Sequence, residues 1–195
     1  MSSSDDDALC QPTDDNIPII EPDLTDPSTK KVLPFKYPDG SDYETKYPKL
    51  TNYLVNGIIG IKAVPAVMLG LESFSCMGRE EIINSLTWGQ GPEIHIVNIS
   101  ADFNRDASGL FNPRDPSKIY LDTSLIQEFE NSIDPEMTAG LRFFIGVTAL
   151  HELVHYGIKN NGCDNTEYEE GELFENQADN EVITKNKAIF TYKKN

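Results

Sequence analysis

The run His151-Glu152-Leu153-Val154-His155 sets two imidazoles four residues apart, with a carboxylate directly after the first. On a helix that spacing leaves about 6 Å between the Cβ atoms. Both rings can then meet one tetrahedral cation. A carboxylate at the second position projects beside such a cation without binding it, and can take a proton from a water held there. The chemistry this implies is hydrolysis, with Glu152 as the general base. The flanks Val147-Thr-Ala-Leu150 and Leu153-Val154 carry no charge. An imidazole buried among them without a partner would be costly. That weighs against the plain alternative of two surface histidines paired with nearby acids.

A third ligand is expected as a carboxylate from the next helix. Glu175 stands twenty residues after His155, and Glu175-Asn-Gln-Ala-Asp179 forms an E-x-x-x-D turn. Asp179, on the same face, is placed to accept the outer N–H of one metal histidine and so fix its tautomer. Glu167, Glu169, Glu170 and Glu172 are rivals, read mainly as solvated acids that favour the start of a helix dipole. The pattern resembles the gluzincin peptidases, the thermolysin-like group. Carried onto this chain, that resemblance implies Zn2+ held by His151, His155 and Glu175, with Glu152 as base and Asp179 behind the ligands.

Five segments, two of them containing the residues above, occur in order: Tyr47-Pro-Lys-Leu-Thr-Asn-Tyr-Leu54, Leu86-Thr-Trp-Gly-Gln-Gly-Pro92, Ile119-Tyr-Leu121, Leu150-His-Glu-Leu-Val-His-Tyr-Gly157 and Glu170-Gly-Glu-Leu-Phe-Glu175. Together they resemble the metallopeptidase toxin domains at the C-termini of bacterial polymorphic toxins, over about residues 45 to 180. The resemblance implies an exported peptidase acting on protein or peptide substrates, an extracytoplasmic location and an immunity protein as partner. The alternative is an inactive zincin-fold binding module on a surface lipoprotein, whose metal is structural. A structural zinc normally has four protein ligands and no need of Glu152. Thermolysin-like enzymes supply an oxyanion donor from a histidine downstream of the metal helix. The only other histidine here, His95, lies upstream. His95, Tyr156, Tyr168 and Tyr192 are the candidate donors, and the segment around His95 is a candidate edge strand for an extended peptide.

The elements that must position these groups follow from pattern and punctuation. Asp134 and Pro135 open a helix that runs to Asn160-Asn161-Gly162, apolar on nearly every face and hence central and buried. A final helix is predicted over Glu170 to Ile189, with Leu173, Phe174, Ala178, Val182 and Ile183 inward. Glu93 to Ile99 and Lys118 to Leu121 read as strands, joined by a polar loop. Asp122 caps a short helix over Leu125, Ile126 and Phe129. Tyr47 to Trp88 is helical in period. The expected fold class is α+β and zincin-like. It is mainly helical, with a small sheet and a buried metal-binding helix followed by a ligand-supplying one.

Residues 1–42, rich in Asp, Ser and Pro, read as a disordered acidic tail or tether, and 43–195 as the metallopeptidase domain. The start resembles the tether that follows a lipidated cysteine in bacterial lipoproteins, which would put a lipid anchor upstream. It is not a signal peptide as it stands, and no stretch approaches the length of a membrane span. The formal net charge of −16, from 32 acidic and 16 basic residues, argues against a nucleic-acid partner. Cys10, Cys76 and Cys163 lack the spacing of a zinc-thiolate site. Their odd number allows one bridge and leaves one cysteine over.

Overall fold

A computed structural model describes residues 36–163 and 169–193, which lie within a compact unit spanning Val32–Asn195. The fold is α+β, mostly helical with a three-stranded sheet. Helices α1 (Tyr43–Lys46) and α2 (Pro48–Asn52) lead through a π turn (Tyr53–Gly57) and a 3-10 segment (Ile58–Ala63) into α3 (Pro65–Phe74) and α4 (Arg79–Leu86). Strand β1 (Glu93–Val97) is followed by α5 (Ile99–Phe103), β2 (Gly109–Phe111), β3 (Lys118–Asp122) and α6 (Thr123–Asn131). Three helices complete the chain: α7 (Pro135–Asn161), α8 (Glu170–Asp179) and α9 (Lys185–Lys193).

The central helix forms where its end signals place it. The Asp134 side chain accepts from Met137 N–H at 3.0 Å, Pro135 takes the first turn, and Gly162 closes the helix at φ 68°. Leu141, Ile145, Leu150, Leu153 and Val154 are buried in the main core with Leu50, Leu54, Ile82 and Ile119. By length and composition α7 would also pass for a membrane span, contrary to the expectation that no stretch would. Its apolar face is instead spent on this core, with 61% of the relevant window buried.

The sheet order is β1-β3-β2, with β1 and β3 parallel and β2 antiparallel to β3. Ile94 and Ile96 point into the main core, while His95 shares the opposite face with Tyr120. β2 lies inside what the sequence presents as a polar loop. Three residues are too few to show an alternation.

Two other expectations change. The folded region begins before Tyr43: Tyr37 is buried in the core, and Lys36 C=O accepts from Ile94 N–H at 2.9 Å. The predicted last helix is two helices, because Asn180 adopts the left-handed conformation at φ 63° and ends α8. Val182, expected inside, lies in the break and is 40% exposed.

Cys76 and Cys163 form a disulfide with Cα atoms 6.5 Å apart, tying the α3–α4 turn to the end of α7. It closes a loop across a sequence separation of 87. Cys163→Ser is therefore expected to lower the unfolding free energy by about 2–4 kcal/mol, read as a lower urea midpoint under non-reducing conditions. An unchanged midpoint would show that the bridge constrains nothing.

Candidate metal centre

His151 and His155 project from successive turns of α7, with ring centroids 5.3 Å apart. Their Nε2 atoms converge on one carboxylate. His155 Nε2 is 2.6 Å from Glu169 Oε1, and His151 Nε2 is 3.3 Å from Glu169 Oε2. One ligand atom from each of these three residues lies within 4.8 Å of the other two. Glu169 is the N-cap of α8, where its carboxylate also accepts from Glu172 N–H at 3.3 Å. The cap fixes the rotamer of an otherwise half-exposed side chain, which suits a ligand.

Glu175 sits elsewhere than the spacing suggested. Its Oε1 is 2.7 Å from His151 Nδ1, and its Oε2 accepts from Ile183 N–H at 2.6 Å. The break after α8 folds Ile183 back onto this carboxylate. Glu175 therefore meets the outer ring nitrogen, the contact expected of Asp179, while Glu169 is the carboxylate that meets both Nε2 atoms. Asp179 ends α8 beside Glu175, and burial together with that neighbouring charge raises its pKa. Glu169 was the acid that the sequence placed among solvated rivals; its N-cap position was the available signal.

Glu152 packs against β2. It is buried, with 8% of its surface exposed. A Cβ at Gly109 would overlap Thr148 Cγ2 and stand 3.1 Å from both Cγ and Oε1 of Glu152, so only glycine lets β2 approach so closely. Burial raises the Glu152 pKa, while the His151 and His155 charges and the Phe111 backbone N–H oppose the rise. The net effect is upward. On His151, burial pulls the pKa down, but hydrogen bonds to Glu169 and Glu175 and the charge of Glu152 outweigh it and raise the value to about 10. The same imidazole contacts, with those of His155, hold the Glu169 carboxyl well below the usual range.

Of the expected oxyanion donors, His95 and Tyr192 make their contacts elsewhere. His95 faces away from α7 and pairs with Glu93, its Nε2 2.9 Å from Glu93 Oε2. Its strand is also closed as a docking edge, since Ile94 N–H donates to Lys36 C=O and Ile96 C=O accepts from Tyr43 Oη. The strand beside Glu152 is β2. Tyr192 packs on Phe143, with ring centroids 6.0 Å apart and two turns of α7 before His151. Tyr156 follows His155 on α7, and its hydroxyl pKa is raised by burial and by the charge of Glu81. Tyr168 and Glu167 lie outside the described residues.

The donor set fits a divalent metal. Two imidazole nitrogens and one carboxylate oxygen lie within 4.8 Å of one another, and a metal held by three such groups would keep a position for water, as in catalytic zinc sites. The model for the family described as Metallopeptidase toxin 3 matches residues 43–180. No curated protein and no solved structure matches the chain.

Proposed function

The chain belongs to the Metallopeptidase toxin 3 family, and from that premise we propose that it is a zinc-dependent, gluzincin-like endopeptidase. In this reading His151, His155 and Glu169 hold the metal and Glu152 is the base. The observation that carries it is the convergence of both Nε2 atoms on Glu169, with Glu152 buried alongside and unpaired with either ring.

A zinc ion held by this set would polarise the scissile carbonyl and make a neighbouring water more acidic. Everything else is work for the chain's own groups. Glu175 accepts a hydrogen bond from His151 Nδ1–H, which leaves Nε2 free to face the metal and makes it a better donor. Glu152 takes the proton of the attacking water. As a carboxylic acid it then passes that proton to the departing amine. Its burial and its Phe111 N–H contact keep the carboxylate aimed between those two tasks.

The toxin family motivates the remaining parts of the proposal. The enzyme acts on proteins outside the cell that makes it, an immunity protein protects the producer, and residues 1–42 serve as a tether to a surface or carrier.

One titration tests the centre. Metal-stripped protein should bind about one zinc per chain and regain casein hydrolysis, which a chelator again removes. His151 is protonated below about pH 10 in the metal-free chain, and zinc takes only the neutral ring. Uptake at pH 7 should therefore release a proton, and zinc affinity should rise with pH across this range. Stoichiometric zinc without any hydrolysis of protein or peptide would leave a binding module in place of an enzyme.

A further inference from the structure

Helix α8 is wedged between two others. Phe174, fully buried, packs on Gly70 of α3, and the first turn of α8 lies on the His151 ring. A Cβ at Gly171 would stand 2.5 Å from both Cδ2 and Cε1 of His151, and nearer still to Nε2. Carbon atoms in contact rest about 3.5–4.0 Å apart, so any side chain there must move the ring or the helix by about 1 Å.

Nothing local calls for glycine at this position. Its φ is not among the positive ones, and glycine is a poor helix former compared with alanine. The contact that a side chain would violate is the imidazole. We infer that Gly171 is a positioning residue of the metal centre. Its missing side chain lets α8 seat so close that Glu169 reaches one nitrogen of His151 and Glu175 the other. Retreat of α8 from α7 is blocked by Phe174 against α3, so an added methyl group turns the ring out of line with both carboxylates. This assignment rests on the proposed metal centre.

The test is a double-mutant cycle read in two ways. Gly171→Ala should weaken zinc binding at least ten-fold in a competition titration, and should shift the visible absorption of bound Co2+ because one ligand is misaligned. In the metal-free chain, any loss of thermal stability in Gly171→Ala should vanish in Gly171→Ala/His151→Ala, where the ring is gone. A Gly171→Ala chain too unstable to purify should likewise be rescued by His151→Ala. Wild-type zinc affinity and an unchanged Co2+ spectrum in Gly171→Ala would overturn the assignment. So would a stability loss that persists without His151. Should the wild type bind no zinc, the metal reading falls by itself, while the cycle in the metal-free chain still decides whether Gly171 acts through His151.

Discussion

Glu152→Gln is expected to leave a folded protein that binds zinc like the wild type and hydrolyses peptides about 10²–10⁴-fold more slowly. The substitution keeps the shape of the side chain and an oxygen to accept the Phe111 N–H. It removes only the capacity to take a proton. Stability should hold or rise, because the carboxylate is buried and its charged form is disfavoured there. The measurement pairs single-turnover cleavage of a fluorogenic peptide with metal content by mass spectrometry. Near-wild-type turnover in a zinc-loaded Gln variant would remove Glu152 from the chemistry and leave this site without a base. Loss of zinc together with activity would make the residue a ligand or a structural group, since a base that only moves protons should not affect loading.

Removing the two glutamates that flank His151 should separate their roles. Glu169→Ala takes away the one carboxylate shared by both Nε2 atoms. Zinc affinity should fall more than 100-fold, beyond the 10–100-fold typical of losing a ligand's hydrogen-bond partner. Stability of the metal-free chain should fall by about 1 kcal/mol, mainly through loss of the α8 N-cap, because half-exposed ion pairs contribute only modestly. Glu175→Ala should show the reverse balance. Zinc affinity should drop within that 10–100-fold range, as His151 loses the acceptor on Nδ1. The folded state should also lose about 1–3 kcal/mol, because Ile183 N–H is left without its carboxylate acceptor. Zinc titration and urea unfolding of both variants decide the matter. The opposite order, with Glu175→Ala abolishing binding and Glu169→Ala sparing it, would restore the ligand set that residue spacing alone suggests.

That reversal marks where residue order stops informing. The H-E-x-x-H turn, its helix from Pro135 to Asn161, the caps at either end and the burial of the apolar flanks were all legible in the sequence. Each depends on contacts within a few residues, where the helical period converts spacing into geometry. The same holds for β1, β3 and the Asp122 cap of α6. Short or interrupted elements were not legible: β2 hid in a loop because three residues carry no period, and α8 and α9 read as one helix because a single left-handed Asn180 parts them.

The sequence by itself thus determined a buried helix carrying the H-E-x-x-H turn and a helical neighbour rich in acids. Which acid meets which ring nitrogen was decided only by the tertiary seat of α8 against α7, with Gly171 on the imidazole and Ile183 folded back onto Glu175. Counting along the chain cannot supply that. Sliding one packed helix along another changes which acid meets which ring nitrogen, and packing across the interface sets the slide.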